Sequence, residues 1–135
     1  MKTTLAEWLA GVLVTLEGVG VLALAVWQAV ELAGGNTDSV TSAIALLVLT
    51  LLGAAAMIAF GVATLRARSW GRSGGIVTQL LILAVAGGAA TGAYAHPLVA
   101  LLLALPAIVV FVLLLVAVAH AGRRNRTAEG DAPVS

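Results

Sequence analysis

Cysteine is missing from this chain. Its absence excludes a disulfide framework, a thiolate metal site, a thiol–disulfide relay and a cysteine nucleophile. Charge is almost as scarce, at 10% of the 135 residues, where soluble domains carry roughly 25%. A soluble fold needs a polar exterior, and too few polar residues remain to build one. Aromatic residues make up only 4%, and lysine occurs once, as Lys2. No P-loop, zinc motif, Gly-x-Ser-x-Gly elbow or dinucleotide fingerprint is present. The few serines fall at or outside the ends of the long apolar runs. These absences predict a protein that is no enzyme and holds neither cofactor nor metal. With no soluble domain to present a basic surface, nucleic acid is not an expected partner either.

What the chain has in quantity is apolar: 61% of its residues. A helix needs about 20 mostly apolar residues to cross about 30 Å of hydrocarbon. Four segments qualify, at approximately 5–32, 42–65, 74–94 and 98–121. Each is longer than a strand and shows no period-2 alternation. In hydrocarbon the backbone must satisfy its own hydrogen bonds, which leaves only helices for such runs. The expected fold is all-α: a four-transmembrane-helix bundle over residues 1–122, with short loops. A polar tail over 123–135 is expected to be disordered. The first apolar run is too long for a cleaved signal peptide and is interrupted by Glu17. Asn36, Asp38 and the glycines before them mark one turn, and His96-Pro97 marks another. Pro106 falls inside the fourth run, where it removes the hydrogen bond to Leu102 and predicts a kink.

The net charge of +1 says little until it is mapped. The seven basic residues are Lys2, Arg66, Arg68, Arg72, Arg123, Arg124 and Arg126. All fall on one side of a four-span arrangement. The two opposite loops carry no Lys or Arg, and one of them holds Glu31 and Asp38. Basic residues near span ends stay on the cytoplasmic side. Both termini and the 66–72 loop are therefore expected inside. Trp8 and Trp70 fit the inner interface, Trp27 and Tyr94 the outer one. The expected location is a bacterial plasma membrane, the bacterial source being suggested by the Ala, Gly, Val, Leu and Arg bias of GC-rich genomes. Arg66, Arg68, Arg72, Arg123, Arg124 and Arg126 are candidate contacts to lipid head groups.

Glu17 is the one ionisable residue deep inside an expected span. An acidic side chain there costs on the order of 2.5–3.5 kcal/mol on insertion scales. It can carry its proton or find a donor within the bundle, and either way it should face protein. Gln79 is the natural donor. Trp8 precedes Glu17 by nine residues and Trp70 precedes Gln79 by nine, so both enter to similar depth. Thr78 is a weaker neighbour. Two readings stand: a protonatable or cation-binding site, or an interhelical hydrogen bond that fixes packing. For helix packing, Gly88 and Gly92 form a GxxxG, and Ala56, Ala59 and Ala63 share a face of the second helix; a homodimer contact is the other use of such residues. His96 and His120 are 24 residues apart, about 36 Å along a helix, and share no ligand set.

The stretch Leu65-Arg66-Ala67-Arg68-Ser69-Trp70-Gly71-Arg72, leading into Thr78-Gln79-Leu80-Leu81, resembles small four-helix membrane proteins of actinobacteria. Leu16-Glu17-Gly18 in the first helix is similar to theirs as well. The resemblance implies the four-span layout and carries no activity. In layout and in Glu17 the chain also looks like the small multidrug resistance transporters, whose first-helix Glu binds protons and cationic drugs in turn. The aromatic lining that holds flat cations in those proteins is missing here. Two functions follow as expectations: a non-enzymatic protein that associates with another membrane protein or with itself, or a small proton-coupled transporter with Glu17 as its carrier carboxylate.

Overall fold

The first helix starts on a capping box. The Thr4 hydroxyl accepts from the Glu7 N–H at 3.2 Å, and the Thr4 N–H donates to the Glu7 carboxylate at 3.4 Å. Two end groups that a helix leaves orphaned are thereby satisfied. From there α1 runs Leu5–Ala33. The turn after it uses Gly35 at φ 74, the left-handed region that glycine enters at no steric cost. The Ser39 hydroxyl caps α2, Val40–Leu65. A three-residue turn with Ala67 at φ 55 leads to α3, Ser69–Thr91. Pro97 opens α4, Pro97–Asp131, a position where its missing N–H costs nothing. The computed structural model describes residues 4–93 and 95–131. Lys2 and the expected outer anchor Tyr94 lie outside the described residues, as do the last four residues of the tail.

The described residues are all-helical, and all four helices are long and apolar enough to cross a membrane. Two boundaries differ from expectation. Helix α3 begins at Ser69, five residues before the apolar run, because Trp70, Gly71 and Arg72 already pack on the bundle. Helix α4 continues well past Ala121, so residues 123–131 are helical where a disordered tail was expected. Hydropathy fades after Ala121, and helix propensity there is mixed: three arginines, Ala128 and Glu129 favour helix, whereas Gly122, Asn125 and Gly130 do not. A contact from Arg124 back to α1 also holds the extension.

Each helix packs on its chain neighbours, and α1 and α4 close the ring with the thinnest contact. The α1–α2 contact is the most extensive because small residues meet there. A Cβ on Gly61 would lie 2.6 Å from the Thr15 backbone nitrogen. Without it, the two backbones approach closely enough for van der Waals attraction to act along the whole crossing. Gly11 and Gly18 face the same partner helix from α1. Gly71 does the same between α3 and α2, against Ala63 and Thr64. The core proper is thin, built on Ala10, Val14, Val110 and Leu114. Large apolar side chains cover the outside, with Leu49 65% and Leu102 63% exposed. In water such a surface would be untenable, whereas in lipid it is the ordinary exterior.

The small residues expected to pack helices divide between those that meet a neighbouring helix and those that do not. A Cβ on Gly88 would touch nothing, and Gly92 ends α3 by donating its N–H to the Gly88 carbonyl at 2.8 Å. Their GxxxG is a helix end rather than a crossing within this chain. Ala63 is buried against α3, Ala56 is half-buried, and Ala59 is exposed. With 15 glycines in the chain, spacing alone does not say which ones face a neighbour.

Candidate functional site

Glu17 and Gln79 meet. The Gln79 amide nitrogen donates to one Glu17 carboxyl oxygen at 2.7 Å, across 62 residues of sequence. Glu17 stands twelve residues into α1, about 18 Å along its axis, near the middle of the span. Gln79 is fully buried, and its amide oxygen has no hydrogen-bond partner among the described residues. Glu17 is only half-buried. Thr78 does not join them: its hydroxyl donates to the Gly74 carbonyl one turn back, at 2.9 Å. Thr15 and Thr50 bond their own helices in the same way.

Glu17 borders two hollows that flank Pro106. One, of about 500 Å³, lies among Leu13, Leu16, Leu105 and Val109. The other, of about 380 Å³, extends past Gly20 and Leu24 toward Leu102 and Ile82. The first is a groove along the thin α1–α4 contact, while the second also reaches Met57 of α2 and Ile82 of α3. Leu16, Leu105 and Val109, which line the first hollow, are each more than half exposed, so that groove lies at the outer surface of the bundle. Glu17 is the one ionisable residue, and the one polar side chain, among those lining either hollow. Such a lining can receive an apolar body that brings a hydrogen-bond donor. It offers no chain of polar groups along which a proton or ion would travel.

A second carboxylate, unmarked in the reading of the spans, organises one end of the bundle. Glu7 is 0% exposed. Besides capping α1, it accepts a hydrogen bond from Arg124 near the end of α4. Arg72, at the start of α3, brings a guanidinium nitrogen to 3.7 Å from the same oxygen. That nitrogen also donates to the Ala67 carbonyl at 3.2 Å. One carboxylate thus ties the beginning of α1, the turn before α3 and the extension of α4. The motif Thr4-Leu5-Ala6-Glu7 was the available signal, since Thr-x-x-Glu before an apolar run reads as a capping box.

The six arginines therefore separate. Arg72 and Arg124 belong to Glu7. Arg123 and Arg126 project from the α4 extension, and both are exposed. Arg66 and Arg68 flank the α2–α3 turn, are exposed, and neither side chain bonds another described residue. With Trp70 and the α2 residues Ala59, Val62 and Ala63 they line a hollow of about 250 Å³. His96 lies in the turn before α4 and His120 in the second half of that helix, so they are not brought together, and no trio of metal-binding side chains forms among the described residues. No family model, curated protein or solved structure matches this chain.

Proposed function

We propose that this chain is a non-enzymatic multi-pass protein of a bacterial plasma membrane that acts by lateral association, its α1–α4 groove receiving a transmembrane helix of another membrane protein or of a second copy. Both termini lie in the cytoplasm in this reading, in accord with the side on which the basic residues fall. The observation that carries the proposal is the position of Glu17. Its carboxyl is held by Gln79 on one side and borders an apolar surface groove on the other. At membrane depth an exposed carboxyl costs several kcal/mol, and a partner helix with a hydroxyl, amide or amine donor removes that cost.

Glu17→Leu is expected to release the partner while leaving the bundle folded. Glu17→Gln keeps hydrogen-bonding capacity and is expected to retain it. The measurement is the mass of the complex purified in mild detergent. A Glu17→Leu protein that keeps the mass of wild type would refute the proposal, and so would a wild type that is a bare monomer in native membranes.

A second reading, proton-coupled transport, draws on the same half-buried carboxyl. It requires Glu17 to exchange protons, so Glu17→Gln would abolish activity with the fold intact. A growth assay with toxic cations separates the two: transport predicts that Glu17→Gln loses whatever resistance wild type confers. The apolar lining around Glu17 favours association.

A further inference from the structure

We propose that the hollow between α2 and α3 at the arginine turn is a binding site for one anionic phospholipid. The phosphodiester would be held between Arg66 and Arg68, and the top of an acyl chain would lie along Ala59, Val62 and Ala63. The arginines at this end of the bundle differ in how much of their charge is already taken up. Arg72 and Arg124 face the Glu7 carboxylate. Arg66 and Arg68 have no acidic partner among the described residues, yet both line the same small hollow. Its other walls are apolar and of small side chains, with Trp70 at the rim. Phe60 braces Trp70 edge-on at a ring separation of 6.0 Å, which fixes the indole at the level of the arginines.

The chemistry selects the ligand. Two guanidiniums present paired donors to phosphate oxygens. No carboxylate lines the hollow among the described residues, which disfavours head groups that carry their own ammonium. An apolar wall directly below the charge suits a glycerolipid and gives a free phosphate ion nothing. The hollow also lies where the helices leave the apolar run, the depth of a phospholipid head group.

The test is native mass spectrometry of the full chain released from detergent, with phosphatidylglycerol and phosphatidylcholine supplied together. Wild type should retain one phosphatidylglycerol in preference to phosphatidylcholine. The double variant Arg66→Gln/Arg68→Gln should lose that preference by on the order of 25-fold, about fivefold for each basic residue. Arg123→Gln/Arg126→Gln removes the same charge elsewhere and should change it less than about twofold. Equal losses in both double variants would reduce the effect to diffuse attraction and overturn the site, as would a wild type without preference. Inorganic phosphate alone is the second arm. If it displaces the lipid at millimolar concentration, the site is one for phosphate ion and the lipid assignment fails. Circular dichroism checks that each variant remains helical. Glu17→Leu should leave lipid retention unchanged, so failure here and failure of the association proposal are separately visible.

Discussion

Gly61→Val should unfold the α1–α2 half of the bundle in detergent, with a loss of at least about 3 kcal/mol. Overpacking a core costs about 1–3 kcal/mol when flexible side chains can yield. Here the new Cβ would lie 2.6 Å from a backbone nitrogen of Thr15, and backbone cannot yield without separating the two helices. Separation forfeits the most extensive contact in the molecule. Gly88→Val is the matched control: a Cβ there meets nothing, so its effect should stay within about 0.5 kcal/mol. Denaturation in mixed micelles, followed by circular dichroism, measures both. Equal losses from the two variants would mean that the α1–α2 crossing is not the close one described.

The contrast between these two glycines also marks what the sequence can and cannot specify. Four apolar runs are a property of the chain in one dimension, and their lengths alone predict four spans. The pairing of Glu17 with Gln79 was legible for a related reason: depth along a helix follows from residue count, and each lies nine residues past a tryptophan. Rotation about the helix axis is different. It decides whether Gly88 or Gly61 faces a neighbour, and in a chain this rich in Gly and Ala the apolar pattern does not encode it. The small-residue pattern on α3 was as visible as any other, yet it meets open space. Pro106 could be read as a break in the α4 hydrogen-bond ladder, but not as the divider of a groove facing Glu17. That needs α1 and α4 side by side.

Glu7→Ala should cost about 3 kcal/mol, the lower end of the range for breaking a buried ion pair. The lower end applies because Arg124 remains 36% exposed and keeps some of its hydration. The variant also removes half of the capping box at Thr4. It leaves two guanidiniums close together without their shared carboxylate. The coupling is what distinguishes an ion-pair network from a lost cap. In a double-mutant cycle, Arg124→Ala should cost much less in the Glu7→Ala background than in wild type. Strictly additive losses would leave Glu7 as a helix cap alone. The same variant should free the 123–131 extension of α4, seen as faster amide hydrogen exchange over those residues.

Glu7 was harder to recognise than Glu17 because it sits where charge is expected. Seven basic residues on one side read as a topology signal, and an acid among them attracts no notice. Its role depends on α4 returning to the start of α1 and continuing as helix beyond its apolar run, so that Arg124 arrives beside Glu7. Hydropathy falls at Ala121 and says nothing about where the backbone goes next. The six arginines looked equivalent in sequence for the same reason. Only their distances to one carboxylate separate the structural pair, Arg72 and Arg124, from Arg66 and Arg68.

Lateral association through the groove beside Glu17 is tested most directly by site-specific photo-crosslinking in native membranes. The absence of cysteine helps, since a single introduced thiol carries the probe to one place. A probe at Leu16, on the rim of the groove, should give a protein adduct that disappears when Glu17→Leu is added. A probe at Leu49, on the lipid-facing side of α2, should give lipid adducts only. Lipid adducts from both positions, or a Leu16 adduct indifferent to Glu17, would contradict the account.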